Sequence, residues 1–99
     1  MVKRLIAAFV SGILLLNAVP HLVQGICGES HMTPFGVESS AAVNVIWAWV
    51  NLIIGGLILK LSKPKEWTPR FWVAFSLGGF ILSLSLAFFW SNHGARLPW

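Results

Sequence analysis

Three apolar runs with no Asp, Glu, Lys or Arg in their middles constrain this chain more than anything else in it. Each is close to the roughly 20 residues a helix needs to cross a bilayer. The runs predict helices over about 5–24, 41–61 and 69–91, joined by an outer loop over 25–40 and a cytoplasmic loop over 62–68. The expected fold class is therefore all-α, a three-helix transmembrane bundle forming a single domain. Composition agrees: 57% of the 99 residues are hydrophobic and 10% charged, against roughly 25% charged in soluble domains. A soluble chain this short would leave much of that apolar surface in water, because small domains bury a smaller share of theirs. Lipid accepts it.

The net charge of +4 comes from seven basic and three acidic residues. These basic residues flank the apolar runs, which is how membrane topology is encoded, so the bilayer and not nucleic acid is the expected partner. Lys3, Arg4, Lys60, Lys63, Lys65 and Arg70 fall on one side and only Arg96 on the other. This bias predicts a cytoplasmic amino terminus and an outer carboxyl terminus. Trp67 and Trp72 then mark the inner interface, and Trp47, Trp49 and Trp90 lie towards the outer one.

Lys3 and Arg4 before Leu5 to Leu16 also have the form of a secretory leader. Asn17-Ala18-Val19-Pro20 is a poor cleavage site, and Ile26 before Cys27 does not fit a lipoprotein, so the segment is expected to remain as the first helix. Pro20 removes one backbone donor near its end and leaves the Leu16 carbonyl in need of a partner. In the outer loop, Thr33-Pro34 suits either the cap of a short helical turn or a plain turn. Ser39 or Ser40 suits the cap of helix two, and Thr68-Pro69 the start of helix three.

The polar residues inside the runs are ordered. Asn17, His21 and Gln24 share one face of helix one. Ala41, Asn44, Ala48, Asn51 and Gly55 form a narrow stripe on helix two, and Gly79, Ser83 and Ala87, with Ser76 alongside, form one on helix three. Small residues at this spacing let helices approach, and amides bridge between them, so the stripes are expected to face one another. The sharper reading is a ligand pocket in the outer half, built from Asn17, His21, Gln24, Asn44 and Asn51.

All three histidines fall on the outer side, as do Cys27 and Met32. His21, Cys27, His31, Met32 and His93 are thus candidate ligands for a metal ion, or a histidine pair for haem. The plain alternatives are a His21 that holds a helix-end carbonyl, solvent-exposed His31 and His93, and a Cys27 that only packs. Because Cys27 is alone, no internal disulfide forms. The chain carries no phosphate loop, GxSxG, HExxH or acidic pair, so an enzyme is not the expectation. The lack of intramembrane charge argues against an ion-coupled transporter.

Asn17-Ala18-Val19-Pro20-His21, the Thr33-Pro34-Phe35 loop and a second helix with Asn44, Trp47 and Asn51 resemble small uncharacterised bacterial integral membrane proteins with an N-x-x-P-H turn and a T-P-F loop. The resemblance covers roughly the first half of the chain. It implies a bacterial inner-membrane setting and transfers no site. The leading functional expectation is a non-enzymatic membrane component acting as a homo-oligomer or as a subunit of a larger assembly, since three short helices bury little surface alone. Ligand binding or transport at the outer polar pocket is the alternative, and metal or haem binding at the outer loop the third.

Overall fold

The computed structural model describes residues 2–62 and 68–92. In chain order they form α1 (Val2–Ile26), β1 (His31–Thr33), β2 (Gly36–Ser39), α2 (Ala41–Leu61) and α3 (Pro69–Asn92). Among the described residues, three helices are long and apolar enough to cross a membrane, with mean hydropathies of 2.0, 2.0 and 1.9. The chain is thus an integral membrane protein by length and composition. Its long dimension of 43 Å matches the roughly 40–45 Å of a bilayer with its headgroups.

The helix ends follow local chemistry. Ser40 caps α2, its side chain accepting from the Val43 N–H at 3.2 Å. Thr68 caps α3, with Pro69 in the first turn and Phe71 N–H reaching the threonine hydroxyl at 3.4 Å. At the end of α1, Glu29 N–H donates to Gln24 C=O and Gly28 N–H to Gly25 C=O. That bond pair needs a left-handed residue, and Gly28 supplies it with φ +78°. Pro20 does not end α1, which starts a turn earlier than the expected 5–24 and runs two residues further.

The chain that follows differs from the expected loop. Thr33-Pro34 opens a plain turn and not a helical one, and paired strands flank that turn. β1 and β2 pair as an antiparallel hairpin, with His31 opposite Ser39 and Thr33 opposite Gly36, closed by Pro34 and Phe35. Ser39 Oγ donates to Gly36 C=O at 2.9 Å, so Thr33 Oγ1 must donate to Ser39 Oγ at 2.6 Å while accepting from Phe35 N–H. Two buried hydroxyls thus satisfy each other and the tight turn.

α1 is the middle helix. It packs along both α2 and α3, which hardly touch each other. α1 and α2 run antiparallel, with contacts at Ser11 to Gly55, Asn17 to Asn51 and His21 to Asn44. α1 and α3 run parallel and press backbone to backbone: a methyl on Gly12 would overlap the Phe75 carbonyl oxygen, and one on Gly78 the Phe9 carbonyl oxygen. Lys3, Arg4, Lys60 and Arg70 gather at one end of this bundle. Glu29, Glu38 and the hairpin lie at the other. Lys63, Lys65, Trp67 and Arg96, on which the orientation argument also drew, lie outside the described residues.

The stripe on α2 faces α1 as expected, with Asn44, Ala48, Asn51 and Gly55 buried. The stripe on α3 does not. Gly79 is buried, but Ser76, Ser83 and Ala87 are exposed. The inward face of α3 instead runs through Phe71, Phe75, Gly78, Gly79, Leu82, Leu86 and Trp90. The physical reason is that Ser83 Oγ donates to Gly79 C=O of its own helix at 2.8 Å. It needs no partner, so nothing turns it inward.

Candidate functional site

His21 is a buried polar side chain of the bundle. It sits one turn beyond Asn17 on α1 and is 6% exposed. Its Nδ1 lies 2.7 Å from Asn44 Oδ1. Asn44 itself is fully buried, and its Nδ2 faces three carbonyl oxygens: His31 at 2.9 Å, Ser39 at 3.1 Å and Ser40 at 3.0 Å. Only an amide nitrogen can face three carbonyls, so the amide orientation is fixed and its oxygen points at the histidine. His21 Nδ1 must therefore carry a hydrogen and donate. Asn44 does two jobs with one side chain: it docks the hairpin on α2 and sets the tautomer of His21.

That tautomer leaves the Nε2 of neutral His21 with a free lone pair. Among the described residues it makes no hydrogen bond. It is also not a sealed, unpaired atom, because no buried side-chain nitrogen or oxygen lacks a partner among the described residues. Nε2 therefore faces open space. That space is a cavity of about 240 Å³, lined by Asn17, Pro20 and His21 of α1, His31 and Met32 of β1, and Leu86, Phe89 and Trp90 of α3. All three layers of the structure contribute: α1 is the floor, the hairpin one wall and α3 the other.

His31 is not solvent-exposed as its plain reading had it. Its ring is half-buried, 5.2 Å from that of His21 in edge-on geometry and 4.9 Å from that of Trp90. Burial, and next the neighbouring His21, hold its pKa below the usual histidine value of 6.5. Near neutral pH His31 is an uncharged imidazole.

The pocket candidates divide. Asn17 and His21 line the cavity. Asn51 stands behind it, accepting from Asn17 Nδ2 at 3.2 Å and donating to Trp47 C=O of its own helix at 2.9 Å. Asn44 stands behind it as well, orienting His21. Gln24 is half-buried and away from the cavity. Of the metal candidates, His21, His31 and Met32 come together, whereas Cys27 is exposed and does not reach them. His93 lies outside the described residues. His21 does not take up the Leu16 carbonyl; it reaches across to α2. Haem between His21 and His31 does not fit, because the two ring centres are only 5.2 Å apart.

Sequence reasoning missed the third wall. Leu86, Phe89 and Trp90 form an apolar surface indistinguishable in sequence from the lipid-facing one. Trp90 alone stands out in the sequence, and its position near the outer end equally suits an interface anchor. A larger hollow of about 510 Å³ runs along Trp72, Val73, Ser76, Leu77 and Phe80. These all belong to α3, so it is a surface groove of one helix and not a convergent site.

No protein-family model, no curated protein and no solved structure matches this chain.

Proposed function

We propose that this protein is a small membrane-embedded binding protein that holds a small ligand between α1, the hairpin and α3, on the outer side of a bacterial plasma membrane. The carrying observation is the buried His21, fixed through Nδ1 by Asn44 and opening through Nε2 onto the 240 Å³ cavity. The volume falls below the roughly 300–1,000 Å³ of sites for drug-sized molecules, so the ligand is small. His31 and Met32 sit on a strand held by one amide side chain, so the hairpin is also a route of entry.

Purification in mild detergent followed by native mass spectrometry tests the reading. A species bound to the parent should be lost from Leu86→Trp, which fills the cavity, while melting changes little. Retention of the same species by the filled variant would remove the cavity from consideration. The side of the membrane is tested separately. Under the positive-inside rule, a cysteine at Ser62 is labelled only from the cytoplasm and native Cys27 only from outside. The reverse pattern would move the site to the cytoplasmic side.

A second reading is favoured by α3. Of the two other helices it packs along α1 and hardly touches α2, and Ser76, Ser83 and Ala87 lie on its exposed side. Small side chains on a lipid-facing surface permit close approach of another helix. On this reading the chain is a homo-oligomer or a subunit of a larger assembly, and Ser83→Leu shifts its mass in detergent. An unchanged monomer mass in parent and variant would discard it.

A further inference from the structure

Nearly every polar atom within this bundle is used by a neighbouring helix or by its own backbone. The donors that remain around the cavity are His21 Nε2, the ring of His31 and the thioether of Met32, with the amide oxygen of Asn17 at the edge. We infer that His21, His31 and Met32 bind one monovalent copper ion. This rests on the reading of the cavity as a ligand site, and it names the ligand.

Three observations carry it. The first is the orientation of His21. A ligating imidazole is ordinarily oriented by a hydrogen bond from its other nitrogen, and Asn44 supplies that bond at 2.7 Å. The second is spacing. A metal about 2.0 Å from an imidazole nitrogen lies about 3.1 Å from the ring centre, so two such rings at a near-tetrahedral angle have centres about 5 Å apart. The rings of His21 and His31 are 5.2 Å apart. The third is charge. Among the described residues, no three of His, Cys, Asp and Glu come together, and no carboxylate lines the cavity. All the donors are neutral, which disfavours a divalent ion near low-dielectric surroundings. Imidazole with thioether suits copper(I), a soft ion that accepts few ligands.

The test is an anaerobic titration of the full chain in detergent with copper(I), against a chromophoric copper(I) chelator, together with X-ray absorption of the bound metal. The expected result is one copper per chain with nitrogen and sulfur scatterers. His31→Ala and Met32→Leu should each weaken binding by about tenfold or more, at least the loss that outer-shell partners already produce. Cys27→Ser should bind as the parent does. Should His31→Ala fail to fold, the loss of the sulfur scatterer in Met32→Leu decides the matter. No retained copper, binding indifferent to both hairpin variants, or binding lost in Cys27→Ser overturns the inference. If copper fails while a co-purifying species still leaves on Leu86→Trp, the cavity holds a different ligand and only the metal is wrong. If neither binds, the ligand reading falls as well.

Discussion

α1 meets its two neighbours by opposite means. Against α2 it spends polar side chains: Ser11 Oγ donates to Gly55 C=O at 2.9 Å, Asn17 donates to Asn51, and His21 donates to Asn44. Against α3 the contact is apolar and close: Leu16 packs on Gly79, and Gly12 and Gly78 let the backbones touch. Lipid is as apolar as leucine, so burying apolar surface drives neither contact. Directional bonds fix the first, and close van der Waals contact holds the second. The difference has a functional side. A hydrogen-bonded seam carries specific chemistry to a fixed place, which is where His21 sits. A glycine seam only brings a wall near, and the wall it brings is Leu86, Phe89 and Trp90.

The largest effect that could break this comparison is at the glycine seam. Gly12→Leu should cost at least about 3 kcal/mol, the upper end for overpacking, because the obstacle is the Phe75 carbonyl and cannot rotate away. Gly56→Ala is the control: nothing lies within 4 Å of a methyl there, and stability should stay within about 0.5 kcal/mol of the parent or rise. Melting in one detergent measures both. Equal stability of Gly12→Leu and Gly56→Ala would mean that α3 does not sit against α1.

Asn44 comes next. Asn44→Leu removes the donor to the His31 and Ser39 carbonyls and the acceptor for His21 Nδ1. Unsatisfied buried groups cost about 1–3 kcal/mol each, and water at the bundle end recovers part of that, so a loss of about 2–3 kcal/mol is expected. The more telling readout is proteolysis. Cleavage within 29–38 should speed up while the helices stay protected, because the hairpin loses its anchor. A variant as resistant as the parent would show that the hairpin holds itself.

The Asn17 to Asn51 bond should contribute least among the polar contacts. A double-mutant cycle with Asn17→Ala and Asn51→Ala should return about 0.6 kcal/mol, the average for hydrogen bonds between membrane helices. Asn51 keeps its bond to Trp47 C=O in the single mutant. A coupling above about 2 kcal/mol would exceed the largest expected there and would make this bond, not His21 to Asn44, the organiser of the seam.

The two seams were also unequally legible in the sequence. Asn44, Ala48, Asn51 and Gly55 could be read as an inward stripe because an amide in lipid must find a partner, and its partner can only be another helix. Serine makes no such demand. Ser83, Ser85 and Ser91 each donate to a carbonyl four residues back in their own helix. Their positions therefore say nothing about which way α3 faces, and of the stripe expected to face inward, Gly79 is buried while Ser76, Ser83 and Ala87 are exposed. Gly78 and Gly79 are adjacent, so the pair allows two faces, and only the contacts of Phe9 and Leu16 choose between them. The hairpin was hidden for another reason. Its order comes from Asn44, at least five residues beyond it, and from two hydroxyls that satisfy each other, and neither leaves a periodic trace.

The smallest expected effect sharpens the comparison at the cavity, where both seams end. His31 lies between His21 of the polar seam and Trp90 of the glycine-seam helix. Its pKa is below 6.5, first through burial and then through His21, which among the described residues is the one titratable group facing it across the cavity. The unfolded chain therefore takes up this proton at a higher pH than the folded chain does. Stability from the neutral ring is fully present above pH 6.5 and is lost as pH falls below it, through the lowered folded value. Melting followed from about pH 8 to about pH 5, across the range where histidine titrates, should show the parent weakening on acidification. His31→Gln should show less of this, because an amide does not titrate, and the difference between the two curves isolates His31 from every other group. Parallel curves would mean that His31 is freely hydrated and the hairpin wall stands open. A parent that gains stability relative to His31→Gln on acidification would mean that the charged ring has an acceptor, with Trp90 the nearest π-face, and the neutral donor set at the cavity would then hold only above the pKa of that pair.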